Sequence, residues 1–298
     1  MKNVIKNMPI AISGLLLAIF SLGNLYNIKL ISYATFSIGF VILIMCITKA
    51  LFYHNIIKDE LENMVILSTS GTFSMSLMLF STFINTINST LAIILWISGI
   101  ILHSLLIIVF AHKYIFHNFD IENVYASYWV VFVGITMASI TGYSFNLQNY
   151  TWIFFVFGFI MMLITFPIVT YRYVKYPVKL EQNQPLICIY AAVMNILIVG
   201  YFNTFSNINI SFVLLLYTIA LICYFYSLYK LIGYVRIPFY PSYSAFTFPF
   251  VISAIASSNI LNLMATPAVH VIFAFQTLVA TVMVIYVLYK YVMFILAK

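Results

Sequence analysis

The side chains that could carry out chemistry are few in this sequence, and they stand far apart. Cys46, Cys188 and Cys223 form no CxxC pair, so the sequence predicts neither a metal site nor a disulfide framework. It contains no His-Glu-x-x-His, Walker or GxGxxG motif. His103 lies deep in an apolar run, where a lone histidine is more often a hydrogen-bonded packing residue than a ligand. We therefore predict a protein that is not an enzyme and that holds no metal or cofactor.

Hydroxyl groups and small side chains are what the sequence offers instead. They are concentrated in the third, fifth, seventh and ninth apolar runs, whereas the even runs are mostly Ile, Leu, Val, Phe and Tyr. Small residues let helices pack closely in a membrane, and hydroxyls need partners away from lipid. The odd runs are thus predicted to lie inside and the even runs outside. An uncharged pathway of this kind fits passive conduction, in which weak binding favours throughput over tight selection.

Pro249 falls near the middle of the ninth apolar run and is the sharpest local signal. Because proline has no N–H, the carbonyl of Ala245 loses its usual partner and the helix is expected to kink. The preceding residue, Phe248, is pushed away from ideal helical geometry. A large ring at a kink of an inner helix could plug a pore. With 28 phenylalanines in the chain, however, packing in the core or against lipid is the ordinary role of any one of them.

The composition requires a membrane. The chain is 64% hydrophobic and only 6% charged, whereas a soluble domain carries about 25% charged residues. At about 20 residues per span, ten spans fill the chain and leave no soluble domain. Each span must be a helix, because lipid offers no partner to the backbone. We predict spans at 8–25, 30–49, 63–84, 90–112, 124–145, 151–171, 185–205, 210–230, 238–260 and 266–290.

The charged residues sort to one side of a ten-span topology. Lysines and arginines precede the first span and follow every even span, and only Lys29 falls on the other side. The six acidic residues occupy the same links. The positive-inside rule then predicts a multi-pass protein of the cell membrane with cytoplasmic N- and C-termini. The net charge of +7 serves as this signal and attracts anionic lipid headgroups. No basic cluster is dense enough to indicate a nucleic-acid partner.

Short turns that contain asparagine recur on the opposite side. Their first asparagines lie 56 to 61 residues apart, at Asn24, Asn85, Asn146, Asn203 and Asn259. A fixed period indicates an internal repeat, although evenly sized helices alone would also space the turns evenly. We predict one transmembrane domain, residues 1–298, made of five helical hairpins at roughly 1–53, 54–116, 117–178, 179–235 and 236–298. An inner ring of the odd helices would either pack tightly or surround a pore.

The ninth run also resembles a known motif. Ser244-Ala245-Phe246-Thr247-Phe248-Pro249 is similar to the Trp-Ala-aromatic-Ser-Phe-Pro segment of the tellurite-resistance/dicarboxylate-transporter family, which includes TehA-type proteins and plant guard-cell slow anion channels. Thr247 stands where the family usually has serine, and spans 3 and 5 contain no proline. Weaker similarities lie at Met8-Pro9 with Gly14, at Gly71-Thr72-Phe73-Ser74-Met75 and at Tyr128-Trp129-Val130-Val131-Phe132-Val133-Gly134. The ten-helix layout extends the resemblance over the whole chain.

The resemblance implies an all-α integral membrane protein in which five hairpins form a quasi-fivefold ring, with the odd helices inside around a central pore. It implies a homotrimer with one pore in each subunit. It also implies anion conduction, with Phe248 occluding the pore beside the kink at Pro249. The pore-lining candidates on the odd spans are Gly14, Ser70, Phe73, Gly134, Thr136, Asn195 and Thr247.

The sequence therefore predicts a passive channel in the lipid bilayer for small inorganic anions, such as chloride or nitrate, that is gated by Phe248. The alternative is a carrier or exporter of C4-dicarboxylates or tellurite-related oxyanions. A carrier of dianions is expected to need a fixed cation facing its site. The basic residues fall at or beyond the ends of the predicted spans, which favours the channel.

Overall fold

The computed structural model describes the backbone of residues 2–297 and the side chains of residues 3–297. Helices make up this part of the chain, and it contains no strand. Short helices lie at Lys2–Asn7, His54–Glu60 and Ile121–Asn123. The main helices, which we label α1 to α10, are Ile12–Tyr26, Lys29–Phe52, Met64–Ile84, Ser89–His117, Tyr128–Phe145, Gln148–Lys175, Glu181–Thr204, Ile210–Tyr234, Pro241–Leu263 and Pro267–Leu296.

Within the described residues, nine helices, α2 to α10, are long and apolar enough to cross a membrane. The predicted all-helical membrane protein is thereby confirmed. Helix α1 has only 15 residues, which at about 22 Å is shorter than the hydrocarbon core. The first predicted span begins at residue 8, but the backbone around Pro9 is not helical between Asn7 and Ile12. The count of ten spans stays a prediction.

Burial alternates along the chain. In an 18-residue stretch of each helix, between 67% and 89% of the residues are buried in α3, α5, α7 and α9. The corresponding share in the even helices is only 22% to 39%. Helix α1 belongs with the buried set, because twelve of its fifteen residues are buried. The even helices instead carry most of the exposed large hydrophobic side chains, as expected of a surface that faces lipid.

The buried helices also contact one another in a closed circuit. Helix α1 contacts α3, α3 contacts α5, α5 contacts α7, α7 contacts α9, and α9 contacts α1. Each even helix packs against the odd helix before it. The small and hydroxyl residues of the odd helices permit this close packing, because their side chains take little room and bond to their own backbone.

Asparagine shapes the turns that join the two helices of a hairpin. Asn27 and Asn146 have positive φ angles of 48° and 55°, a left-handed conformation that asparagine tolerates better than most residues. Asn88 and Asn209 cap the first turns of α4 and α8 by accepting hydrogen bonds from backbone N–H groups. Of these four residues, Asn146 is one of the five evenly spaced asparagines, and Asn27, Asn88 and Asn209 lie in the same turns as three of the others.

The links between hairpins meet at one end of the molecule, which we name the charged end. Lys113 pairs with Glu62 in the preceding link, and its ammonium group lowers the pKa of that carboxyl by hydrogen bonding to it. Lys179 pairs with Glu122 at 2.6 Å. These two ion pairs connect three successive links, which places the links on the same side as the charge pattern predicts.

A repeated hydrogen bond closes four of the five hairpins at the charged end. In each, a side chain near the end of the outer helix donates to a backbone carbonyl near the start of the inner helix of the same hairpin. We name this bond the hairpin clasp. The four clasps are Lys49 Nζ to Met8 O at 2.7 Å, Tyr114 Oη to Glu62 O at 2.7 Å, Arg172 Nε to Glu122 O at 2.9 Å and Tyr291 Oη to Pro241 O at 2.5 Å.

Gly39 of α2 permits close packing against α1. A Cβ atom at this position would lie 2.3 Å from Cε1 of Phe20. The Phe20 ring cannot move aside, since it is buried and stacked on Phe36 and Phe80. We expect Gly39→Ala to lower the free energy of unfolding by about 1–3 kcal/mol. The measurement is the midpoint of thermal unfolding in detergent, which should fall. Gly233→Ala is the control, because no atom lies within 4 Å of its added Cβ; equal midpoints for the two variants would contradict this packing.

Candidate functional site

The five buried helices enclose a cavity of about 50 Å³, which we name the axial cavity. No charged side chain lines it among residues 3–297, and its wall is mainly apolar. All five odd helices contribute to the lining. The lining residues are Gly14 of α1; Thr69, Thr72 and Met75 of α3; Trp129, Val130, Val133 and Gly134 of α5; Ile189, Ala192, Val193 and Ile196 of α7; and Ser244, Ala245, Phe248 and Pro249 of α9.

Four of these helices are irregular where they line the axial cavity. Helix α3 is interrupted at Ser70, α5 at Val133 and α9 at Thr247. Helix α7 changes from a 3₁₀-helix to an α-helix after Ile189. Stretches of 3₁₀-helix within a longer helix often mark functional hinges or strained sequence. Proline follows the interruption in α9, and Pro185 lies within the 3₁₀ segment of α7, whereas the interruptions in α3 and α5 have no proline signal in the sequence.

In α9, the interruption sets the position of the Phe248 ring. Thr247 has the non-helical angles φ −113° and ψ −85°, and its hydroxyl donates to the Ser244 carbonyl at 2.6 Å. A new α-helical segment then starts at Phe248, with Pro249 in its first turn. Proline is favoured there because an N–H in the first turn has no partner in the helix. Phe248 is 6% exposed and lines the axial cavity.

Two glycines of the lining allow neighbouring helices to approach closely. A Cβ atom at Gly14 would lie 3.0 Å from Cβ of Ser244, at the contact between α1 and α9. A Cβ atom at Gly134 would lie 2.9 Å from Sδ of Met75 and 3.0 Å from Cε1 of His103. The structure therefore brings the predicted residues Gly14, Gly134, Phe248 and Pro249 to one cavity.

His103 of α4 contacts the two interrupted helices α3 and α5 on the side away from the axial cavity. Its Nε2 lies 3.0 Å from the carbonyl oxygen of Val131 in α5. Because a carbonyl only accepts, Nε2 carries the proton and donates to Val131. Nδ1 lies 2.8 Å from the Ser74 hydroxyl oxygen of α3, and that hydroxyl also lies 2.8 Å from the Gly71 carbonyl oxygen. The imidazole is fully buried and outside the axial cavity, and both of its nitrogens are satisfied by protein groups.

Five predicted pore-lining residues lie elsewhere. Ser70 and Phe73 face a separate cavity of about 310 Å³ that Lys49 also lines. Thr136 packs against Gly158 of α6 and Gly200 of α7. The remaining two bond across or within helices. Asn195 donates to Ala191 O and Ser253 Oγ, and Thr247 donates to Ser244 O.

Sequence reasoning does not single out most of the residues that line the axial cavity. Thr69, Thr72, Ala192 and Ser244 share the small or hydroxyl character of the odd helices, and that character was the available signal. The valines and isoleucines of the lining have no such mark, because the same residue types fill the rest of the core and the lipid-facing surface.

Comparison with known protein families assigns the chain. The profile of the family described as voltage-dependent anion channel matches residues 6–292. The chain belongs to this family. The match begins before α1 and ends within α10, and it confirms the resemblance seen in the ninth run to the tellurite-resistance/dicarboxylate-transporter family. Members of the family are membrane channels and transporters of anions and are not enzymes. No curated protein matches the chain.

Proposed function

We propose that the protein is a passive channel for small monovalent anions such as chloride or nitrate, and that Phe248 occludes its pore. The observation that carries the proposal is the axial cavity, which all five odd helices line and which Phe248 also lines. The aliphatic side chains around that ring form an apolar constriction, and such constrictions close channels by excluding water.

The proposal includes the topology. Ten helices cross the membrane as five hairpins in a quasi-fivefold ring, and α1 crosses with its preceding turn. Because α1 is surrounded by protein, it need not match the thickness of the lipid core. The charged end faces the cytoplasm of the cell membrane, so both termini are cytoplasmic. The subunit assembles as a homotrimer, a proposal that rests on the resemblance alone.

The uncharged wall supports a channel over a carrier. A carrier of dicarboxylates or tellurite-related oxyanions would bind its substrate through a fixed cation. Lys49 and Arg172 are buried at the charged end, but they donate to carbonyl groups and neither lines the axial cavity. Weak binding along the pathway is what rapid conduction requires.

The test is recording in planar bilayers with ion substitution. We expect currents whose reversal potential follows the chloride gradient and stays unchanged when sodium is replaced by a large organic cation. Nitrate in place of chloride should also carry current. Saturable counterflow of a dicarboxylate in liposomes, without net current, would replace the channel by the carrier. A reversal potential that follows the cation gradient would reject both.

A further inference from the structure

A third cavity, with several polar residues in its lining, lies at the charged end between the starts of the inner helices. Its volume is about 120 Å³, and we name it the vestibule. Residues from the starts of α3, α7 and α9 line it, among them Asn63, Asn183 and Tyr240. Thr69 lines both the vestibule and the axial cavity, so the two cavities are adjacent and share this residue. An ion that moves from the charged end to Phe248 would pass through the vestibule first.

Asn183 is the most buried of the amide side chains that line the vestibule. It is 7% exposed, yet its amide forms no hydrogen bond with any other described residue. The amide atoms are not fully enclosed by protein, so they are open to water or to a ligand in the vestibule. Asn183 lies in the 3₁₀ segment Glu181–Ile189 that begins α7, which fixes its backbone within the vestibule wall.

Most hydroxyl and carbonyl groups of the vestibule lining are already hydrogen-bonded within the protein, and the groups that remain available as donors are amide N–H groups. The Asn63 side-chain oxygen accepts from the backbone N–H groups of Val65 and Ile66, so its NH₂ group remains available. The Tyr240 hydroxyl donates to Glu181 at 2.8 Å, and the Ser242 hydroxyl donates to a backbone carbonyl. The amide residues Asn63, Gln182 and Asn183 therefore line a space that holds no carboxylate in its described lining.

We propose that the vestibule is a loading site in which Asn183 donates a hydrogen bond to a monovalent anion before the anion reaches the axial cavity. This inference rests on the proposed function, because it assigns the site to the same pathway. Neutral amides attract an anion less strongly than lysine or arginine would, so the ion is released quickly. The exposed carboxylate of Glu181, held by Tyr240 at the rim, opposes accumulation of anions and keeps occupancy low.

The test uses the Phe248→Ala channel with chloride varied on one side of the bilayer at a time. Replacing Asn183 by leucine should raise the half-saturating chloride concentration about fivefold on the vestibule side, since a hydrogen bond to an ion is lost. The value for the opposite side should not change. The control is Gln184→Leu, because this neighbouring amide does not line the vestibule and its loss should leave both values unchanged.

A charge variant separates binding in the vestibule from a general surface effect. Asn183→Asp keeps the size of the side chain and should suppress chloride current at low salt more strongly than Gln184→Asp, which adds the same charge one residue away. Equal suppression by the two aspartates, or an unchanged half-saturating concentration in Asn183→Leu, would overturn the loading site.

A second measurement does not depend on conduction. Purified protein should broaden the ³⁵Cl NMR signal of sodium chloride, nitrate should reverse the broadening, and Asn183→Leu should reduce it while Gln184→Leu does not. If Phe248→Ala carries no anion current, the proposed function fails, and the NMR comparison still decides the vestibule. Broadening that is absent, or equal in both leucine variants, overturns the site even where current flows.

Discussion

Phe248→Ala is expected to raise the chloride current roughly tenfold or more, which corresponds to removing about 1.4 kcal/mol from the barrier. The substitution removes the largest apolar group contributed by α9 to a cavity of about 50 Å³. A wider and less apolar constriction admits water, and an ion then no longer has to shed its hydration shell. The measurement is chloride flux into liposomes, with the protein content of each preparation matched.

Phe250→Ala is the matched control for this experiment. Phe250 lies two residues further along the same helical segment and is fully buried, but its ring packs edge-on against Tyr224 of α8. Loss of a buried phenylalanine ring costs about 3–5 kcal/mol at either position, so the two variants face similar stability losses. Only Phe248 lines the axial cavity. If Phe250→Ala raises the flux as much as Phe248→Ala, or if neither does, Phe248 is not the gate.

Lys49→Met is expected to destabilise the protein by about 2–4 kcal/mol. Lys49 is 2% exposed, and its ammonium group lies 2.6 Å from Glu60 and 2.7 Å from the Met8 carbonyl. Removing one partner of a buried ion pair leaves an uncompensated charge, which is costly. Glu60 is 27% exposed, and this partial contact with solvent places the cost below that of a fully buried pair. The midpoint of thermal unfolding in detergent reports the loss.

Lys179→Met provides the comparison. Its ion pair with Glu122 has the same 2.6 Å length, but the two side chains are 71% and 42% exposed. Exposed pairs contribute about 0–1 kcal/mol, so this variant should unfold close to the wild-type temperature. A double variant, Lys49→Met with Glu60→Met, should recover part of the loss because no charge stays unpaired. Equal midpoints for the two lysine variants would show that burial of Lys49 is irrelevant.

The sequence predicts the architecture well because its signals are coarse and additive. The signals are the apolar runs, the side on which the charges fall and the small residues of the odd helices. Each arises from a requirement that the membrane imposes on a whole span of about twenty residues. The nine long apolar helices and the buried odd set follow from these signals. The exception is α1, where one local effect, the break around Pro9, shortens the helix to 15 residues.

The site is harder to predict because it depends on rotation about each helix axis. Thr69 and Ser70 are adjacent hydroxyl residues in α3, yet one lines the axial cavity and the other lines the cavity beside Lys49. Each residue advances a helix by about 100° of rotation. The interruptions at Ser70 and Val133 change this rotation, and no proline in the sequence indicates where they occur. Phe248, which lines the axial cavity, is singled out through the resemblance of its segment to a family motif, because the proline alone does not distinguish it from the other phenylalanines.

The clasps that close four of the hairpins depend little on which residue supplies the acceptor. The acceptor in each clasp is a backbone carbonyl, which every residue possesses, so no substitution at Met8, Glu62, Glu122 or Pro241 removes it. The donor side is nearly as permissive, since lysine, tyrosine and arginine all serve. Each of these four hairpins can thus change most of its side chains at the charged end and keep its clasp, because the acceptor belongs to the main chain.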